Sequence, residues 1–266
     1  MLRLLRRGLW IALGLLAVFG LGAVARWPVC WPFDVVWNAR PAVLAPELRA
    51  PADGRTRVVF LVHGLWRTSA SLGRLERSLR AHGYQVENFG YPSTEDFLAA
   101  HARRLRDAVE ARWARGPIDE LAFVGHSMGG LVIEEYLRRG DARPPTACVY
   151  LATPHRGAIL ADKRRHWWLF QLVMGDRAAA QLATTDAFHR QPIPFGGRSG
   201  TVLGDIGAGN PSIPGNDDGT VGVSEATFAG ARDRATVPYG HTSIAVAAPV
   251  IRQVLHFLRH GAFQHD

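Results

Sequence analysis

Leu121-Ala-Phe-Val-Gly-His-Ser-Met-Gly-Gly-Leu-Val-Ile-Glu-Glu-Tyr136 joins a short apolar run to a Gly-His-Ser-Met-Gly turn and then to a helical pattern. Leu121 to Val124 reads as a buried strand, and Leu131, Val132, Glu135 and Arg138 continue as a helix with one apolar flank. A G-x-S-x-G turn between a strand and a helix reverses the chain so sharply that the serine is held at a strained backbone angle, its hydroxyl exposed above the sheet. Gly125, Gly129 and Gly130 remove side chains that would clash there. Ser127 is therefore the candidate nucleophile. The plainer reading, a glycine-rich turn with an ordinary serine, leaves the two partners identified below unexplained.

Outward from this stretch, strand-like and helix-like segments alternate from about Arg55 onward. Arg57 to Val62 reads as a buried strand, about Thr68 to Ala81 as a helix, Tyr84 to Phe89 as a strand and about Thr94 to Arg115 as an amphipathic helix. After the elbow come a strand at Thr146 to Leu151, another at Thr201 to Gly204, a late one at Arg234 to Tyr239, and a closing helix over about Ile244 to Arg259. The alternation predicts an α/β fold with a mostly parallel, doubly wound sheet covered by helices on both faces. Ligands of such sheets bind beyond the carboxyl ends of the strands, where Gly64, Ser127 and Thr153 all fall.

With 266 residues, 47% of them hydrophobic, the chain suits one such domain plus an N-terminal appendage. The net charge of +8 rests almost wholly on arginine, Lys163 being the lone lysine. The arginines lie along helix-like segments (Arg74, Arg77, Arg80; Arg103, Arg104, Arg106) and do not interleave with aromatic residues on a strand platform. That pattern argues for a solvated face, or attraction to anionic lipid, and against nucleic acid as a partner. Cys30 and Cys148, the only two cysteines, form neither a disulfide framework nor a metal-ligand spacing.

Residues 1–26 read as a membrane anchor or a signal peptide. Arg3, Arg6 and Arg7 precede the uncharged run Leu9 to Ala25, and Arg26, Trp27, Trp31, Phe33 and Trp37 follow it. As a helix the run would span about 26 Å, close to a thin bilayer core. Ala23-Val24-Ala25 offers a cleavage site, whereas the length of the run and the aromatic belt favour a retained anchor. In either case the arginines stay cytoplasmic, which places the globular part in the periplasm or an equivalent space, membrane-anchored or secreted. Residues 27–54, with five prolines, read as an irregular linker that lies against the domain or the membrane, and residues 55–266 as the domain.

A serine hydroxyl needs a histidine to accept its proton and a carboxylate to orient that histidine. In the strand-elbow-helix layout the order is serine, acid, histidine, so both partners lie after Ser127. His241 follows the late strand and precedes the last helix, which makes it the candidate base. His63 belongs to the loop after the first strand, His126 is part of the elbow, and His155 follows a strand too early in the order. For the acid, Asn216-Asp-Asp-Gly-Thr-Val221 offers two carboxylates; Asp218, directly before Gly219, is favoured, with Asp217 and Asp205 as alternatives. The plainer role of such aspartates is turn capping.

Val62-His-Gly-Leu65, Gly125-His-Ser-Met-Gly-Gly130, Asn216-Asp-Asp-Gly219 and His241 occur in the order and spacing of a known group. From about Arg57 to Gly261 the chain resembles the α/β-hydrolase superfamily, more narrowly its bacterial lipases and esterases. The resemblance implies a Ser127, Asp218, His241 triad, with the backbone N–H groups of Leu65 and Met128 as oxyanion hole. It implies cleavage of lipid or acyl esters, or the same triad with another acceptor, as in acyltransferases, or another leaving group, as in thioesterases; a silent scaffold that binds lipid or a partner protein is the rival from another class. Lipases of that group often hold calcium with an aspartate two residues past the histidine. Here that residue is Ser243, so neither a structural metal nor a cofactor is expected. The insertion 155–195, with the basic Lys163-Arg-Arg165 and the apolar His166 to Met174, predicts either a cap over the site or a helix packed on the core.

Overall fold

The computed structural model describes residues 31–164 and 177–265. In chain order these form α1 (Trp31–Asn38), β1 (Arg57–Val62), α2 (Gly73–Ala81), β2 (Gln85–Phe89), α3 (Leu98–Trp113), β3 (Glu120–His126) and α4 (Met128–Leu137). They continue with β4 (Ala147–Leu151), α5 (Ile159–Arg164), α6 (Ala178–Gln181), β5 (Ser199–Gly204), α7 (Val223–Ala226), β6 (Asp233–Val237) and α8 (Ala248–His260).

The six described strands make one sheet in the order β2-β1-β3-β4-β5-β6, and every neighbouring pair is parallel. Parallel neighbours require crossovers, and the helices between strands supply them. All of β1 is buried, and its alternate residues serve two different cores. Val58, Phe60 and Val62 pack with Leu98, Ala102, Leu105 and Val109 of α3 and Leu131, Val132 and Tyr136 of α4. Val59 and Leu61 pack with Leu75 and Leu79 of α2 and Val250, Ile251 and Val254 of α8. This is the period-2 pattern of a strand covered on both sides.

The chain runs from β1 outward to β2 and then returns to lay β3 on the other side of β1, so the order reverses between β1 and β3. Val62 pairs in register with Gly125, which brings the carboxyl ends of both strands level. A crevice forms at such a reversal, and it opens where His63-Gly64-Leu65 and Ser127 follow their strands.

Several element ends differ from the sequence expectation for local reasons. A turn closed by Glu95 N–H to Pro92 O delays α3 to Leu98. The last helix begins at Ala248 after a 3₁₀ turn at Ser243–Ala245, because Pro249 lacks an N–H and fits only the first turn. The larger difference concerns residues 31–54. The expected irregular linker begins as a helix, α1, and of the two expected resting places it takes the domain, where Val43, Ala45 and Leu48 enter the core beside α2 and α8. Ala45 N–H donates to His82 Nε2 at 3.0 Å and Val43 N–H to Ser78 Oγ at 2.9 Å, so buried polar groups of α2's face receive this segment. Among the described residues no helix is long and apolar enough to cross a membrane; Leu9 to Ala25 and His166 to Met174 lie outside them.

Candidate active site

Ser127 sits between β3 and α4 with φ 54° and ψ −129°, a left-handed conformation that costs an L-residue about 1–3 kcal/mol. Its N–H donates to Leu151 O at 2.9 Å and its carbonyl accepts Gly130 N–H at 3.0 Å, so the surrounding structure holds the strain in place. Gly129 must lack a side chain: a Cβ there would stand 2.1 Å from Val62 O. The turn thus closes directly against the end of β1.

Ser127 Oγ lies 2.9 Å from His241 Nε2, and His241 Nδ1 donates to Asp218 Oδ2 at 2.7 Å. That bond sets the tautomer, leaving Nε2 as the acceptor that faces the serine hydroxyl. Asp218 is fixed in turn: its Oδ1 accepts Thr220 N–H at 2.9 Å and Val221 N–H at 2.7 Å, and its carbonyl accepts His241 N–H at 2.8 Å. The carboxylate is buried while the imidazole keeps 15% of its surface exposed. A base reachable from solvent and held by a buried anion can take a proton from the serine and return it to a leaving group.

The neighbouring aspartates do other things. Asp217 accepts Gly219 N–H at 2.6 Å and Asn210 N–H at 3.0 Å, and Asp205 accepts Gly207 N–H at 2.9 Å and Asn216 Nδ2 at 2.9 Å. Both shape the loop and neither reaches His241.

Gly64 brings the loop after β1 against Ser127, since a Cβ there would be 3.0 Å from Ser127 Cβ. Leu65 follows in that loop. Met128 opens α4, so its N–H is among the first four of the helix, which no intrahelical carbonyl can satisfy. The loop is braced from three sides. Tyr91 Oη donates to His63 O at 2.7 Å, Trp66 N–H donates to Ser93 Oγ at 3.0 Å, and Arg67 Nη1 donates to Asp34 Oδ1 at 2.5 Å. Burial pulls the His63 imidazole down to about 4, which keeps it neutral, with Nδ1 donating to Gly64 O at 2.9 Å.

His126 gains a role beyond its place in the elbow. Burial and the adjacent His241 hold it well below the usual imidazole range, and its Nε2–H donates to His241 O at 2.8 Å. The elbow therefore grips the backbone of His241 as well as carrying Ser127. Sequence alone had no signal for this contact, nor for Ser93, Tyr91 and Asp34, because each partner lies 27 or more residues away.

No group of three or more His, Cys, Asp or Glu among the described residues is arranged to hold a metal ion. At the position discussed for calcium, Ser243 Oγ donates to Gly240 O at 3.0 Å. Cys148 is a free, buried thiol pushed up to about 12 by burial, and it plays no part in the site.

A parallel sheet with this elbow at its reversal defines the alpha/beta hydrolase class. The chain belongs to that family, whose sequence model matches residues 58–258. Among solved structures, the mature form of the Bacillus licheniformis lipase BlEst2 superposes with a TM-score of 0.56 at 20% identity, over 82% of this chain and 96% of that one. The lin2722 product of Listeria innocua gives 0.54 at 17% identity, over 79% and 96%. Phospholipase PlaB of Legionella pneumophila gives 0.51 at 19%, over 65% of this chain but only 46% of PlaB. At such identities the likeness is one of fold. No curated protein matches the sequence significantly.

Proposed function

We propose that the protein is a serine hydrolase of carboxylic esters, acting on lipid or other acyl-ester substrates through an acyl-enzyme. Ser127 attacks the ester carbonyl, His241 takes the hydroxyl proton and passes it to the departing alcohol, and Asp218 holds the imidazolium. The N–H groups of Leu65 and Met128 receive the oxyanion, each worth about 3 kcal/mol of barrier lowering. Water, activated by His241, then releases the acid. No cofactor takes part.

One observation carries this reading: the unbroken line from Ser127 Oγ through His241 to Asp218, at 2.9 and 2.7 Å. The same line weighs against a silent binding scaffold, which has no use for a strained serine facing an imidazole that a buried carboxylate orients. The segment before residue 27 tethers the domain to a membrane with its site outside the cytoplasm. Support for the tether is the arginine-flanked apolar run.

A fluorophosphonate probe tests the chemistry: Ser127 is labelled in the wild type, and Ser127→Ala is not. A panel of chromogenic esters graded by acyl length then reads pocket depth. Turnover of esters without labelling of Ser127 would refute the assignment.

A further inference from the structure

Helix α1 is turned inside out. Of its side chains from position 34 onward, the two polar ones face the domain: Asp34 is 2% and Asn38 5% exposed. The three apolar ones face away, with Val35 43%, Val36 69% and Trp37 40% exposed. A helix on the surface of a water-soluble domain shows the opposite arrangement.

The inward side is fully engaged. Asp34 takes Arg67 Nη1 at 2.5 Å, and Asn38 donates through Nδ2 to Asp34 O at 2.8 Å and to Ser71 O at 3.1 Å. Asn38 Oδ1 accepts Arg74 N–H at 2.9 Å, capping the start of α2. These bonds fix which side of α1 points out, so the apolar side cannot turn inward without breaking them. Leu44, a few residues on, is 67% exposed while Val43 and Ala45 beside it are buried.

We propose that Val35, Val36 and Trp37 seat in the interfacial layer of a lipid bilayer and set the hydrolase domain flat against the membrane. This rests on the membrane tether proposed above and goes beyond it, since a tether alone leaves the domain free to swing. Two facts select lipid as the occupant. The uncharged run ends at Ala25, and the five residues between it and α1 reach at most about 18 Å when fully extended, which keeps α1 near the surface where the run ends. Arg40, two residues past α1, exposed and without a carboxylate partner among the described residues, adds the charge that anionic headgroups attract. Trp37 suits the same layer, with an apolar body and one polar N–H.

The full chain, reconstituted in vesicles of phosphatidylcholine and phosphatidylglycerol, tests this in two readings. Flotation in high salt reports the tether. A polarity-sensitive label on Val36→Cys in a Cys30→Ser background, with Arg103→Cys on the exposed side of α3 in the same background as the reference, reports the face; Cys148 is buried. We expect the chain to float, the Val36 label to be quenched by doxyl lipids, and its iodide quenching to fall severalfold below that of the Arg103 label. A chain that fails to float overturns both tether and docking. A floating chain whose Val36 label is as open to iodide as the reference overturns docking alone. A label shielded from iodide yet untouched by doxyl lipid also overturns it, in favour of protein on this face, and cross-linking then separates a second copy from the chain's own remaining segments.

Discussion

Apart from the exposed contact of His265 with Asp233, the described residues hold two enclosed histidine–carboxylate pairs, almost identical in their bond and opposite in their setting. His241 Nδ1 meets Asp218 at 2.7 Å, and His155 Nδ1 meets Glu134 at 2.6 Å. The free nitrogen makes the difference. That of His241 faces Ser127 Oγ at a partly exposed position, whereas that of His155 is buried with no hydrogen-bond partner, and neither side chain of its pair is exposed at all. Glu134's second oxygen takes Arg138 at 3.0 Å, and the Arg138 guanidinium lies 4.2 Å over the Phe188 ring. The second pair therefore ties helix α4 to the loop after β4 and to the insertion. A short bond between imidazole and carboxylate is compatible with catalysis or with bracing; access and a neighbouring nucleophile decide which.

Ser127→Ala should break the contrast most deeply, lowering kcat by about a millionfold while circular dichroism stays native, because His241 then serves nothing. Retained turnover would remove the distinction between the two pairs. Asp218→Asn should cost about ten-thousandfold by presenting the wrong tautomer. Asp217→Asn should leave most activity and show instead in the stability of its loop; the reverse ranking in folded protein would make Asp217 the acid.

For the other pair the sign of the effect changes from rate to stability. Glu134→Ala strips the Arg138 guanidinium and the buried His155 Nδ1 of their shared partner and should cost about 4 kcal/mol in urea unfolding. The kcat per folded molecule should stay within a few-fold of wild type. A collapse of kcat in fully folded Glu134→Ala would place this pair in the chemistry.

Buried, neutral histidine has its own pH signature. His63 is held at about 4 in the fold against an ordinary 6.5, so below 6.5 the unfolded chain binds a proton that the native one refuses. Its contribution to stability is complete above about 6.5 and falls away as the pH drops toward 4, by about 3 kcal/mol in all. Urea midpoints from pH 7 to 4 should fall for the wild type, and His63→Gln, if folded, should flatten that dependence. An unchanged slope would mean that other groups set it.

The smallest expected effect concerns a third buried carboxylate, bonded to no histidine. Asp34, kept above the usual carboxylate range by burial, holds Arg67 two residues past Leu65. Asp34→Ala should loosen the oxyanion loop, lowering kcat by about tenfold with KM unchanged, and weaken a boronic-acid inhibitor in parallel. Equal loss in kcat and in folded fraction would reduce Asp34 to a structural role.

The strand, elbow and helix around Ser127 were legible because their causes are local: an apolar run, then glycines where a Cβ would strike Val62 O, then a helical repeat. The alternation that forces a parallel sheet is local as well, and so is the order serine, acid, histidine. What lay beyond reach was every relation set by distance along the chain. Asp217 and Asp218 are neighbours with the same chemistry, and only the folded loop turns one toward its own backbone and the other toward a histidine 23 residues away. Residues 31–54 read as a linker because prolines and tryptophans carry no helical period. The tertiary structure makes part of that stretch a helix by giving Asp34 and Asn38 buried partners at Arg67, Ser71 and Arg74, which satisfies polar groups that water would otherwise hold.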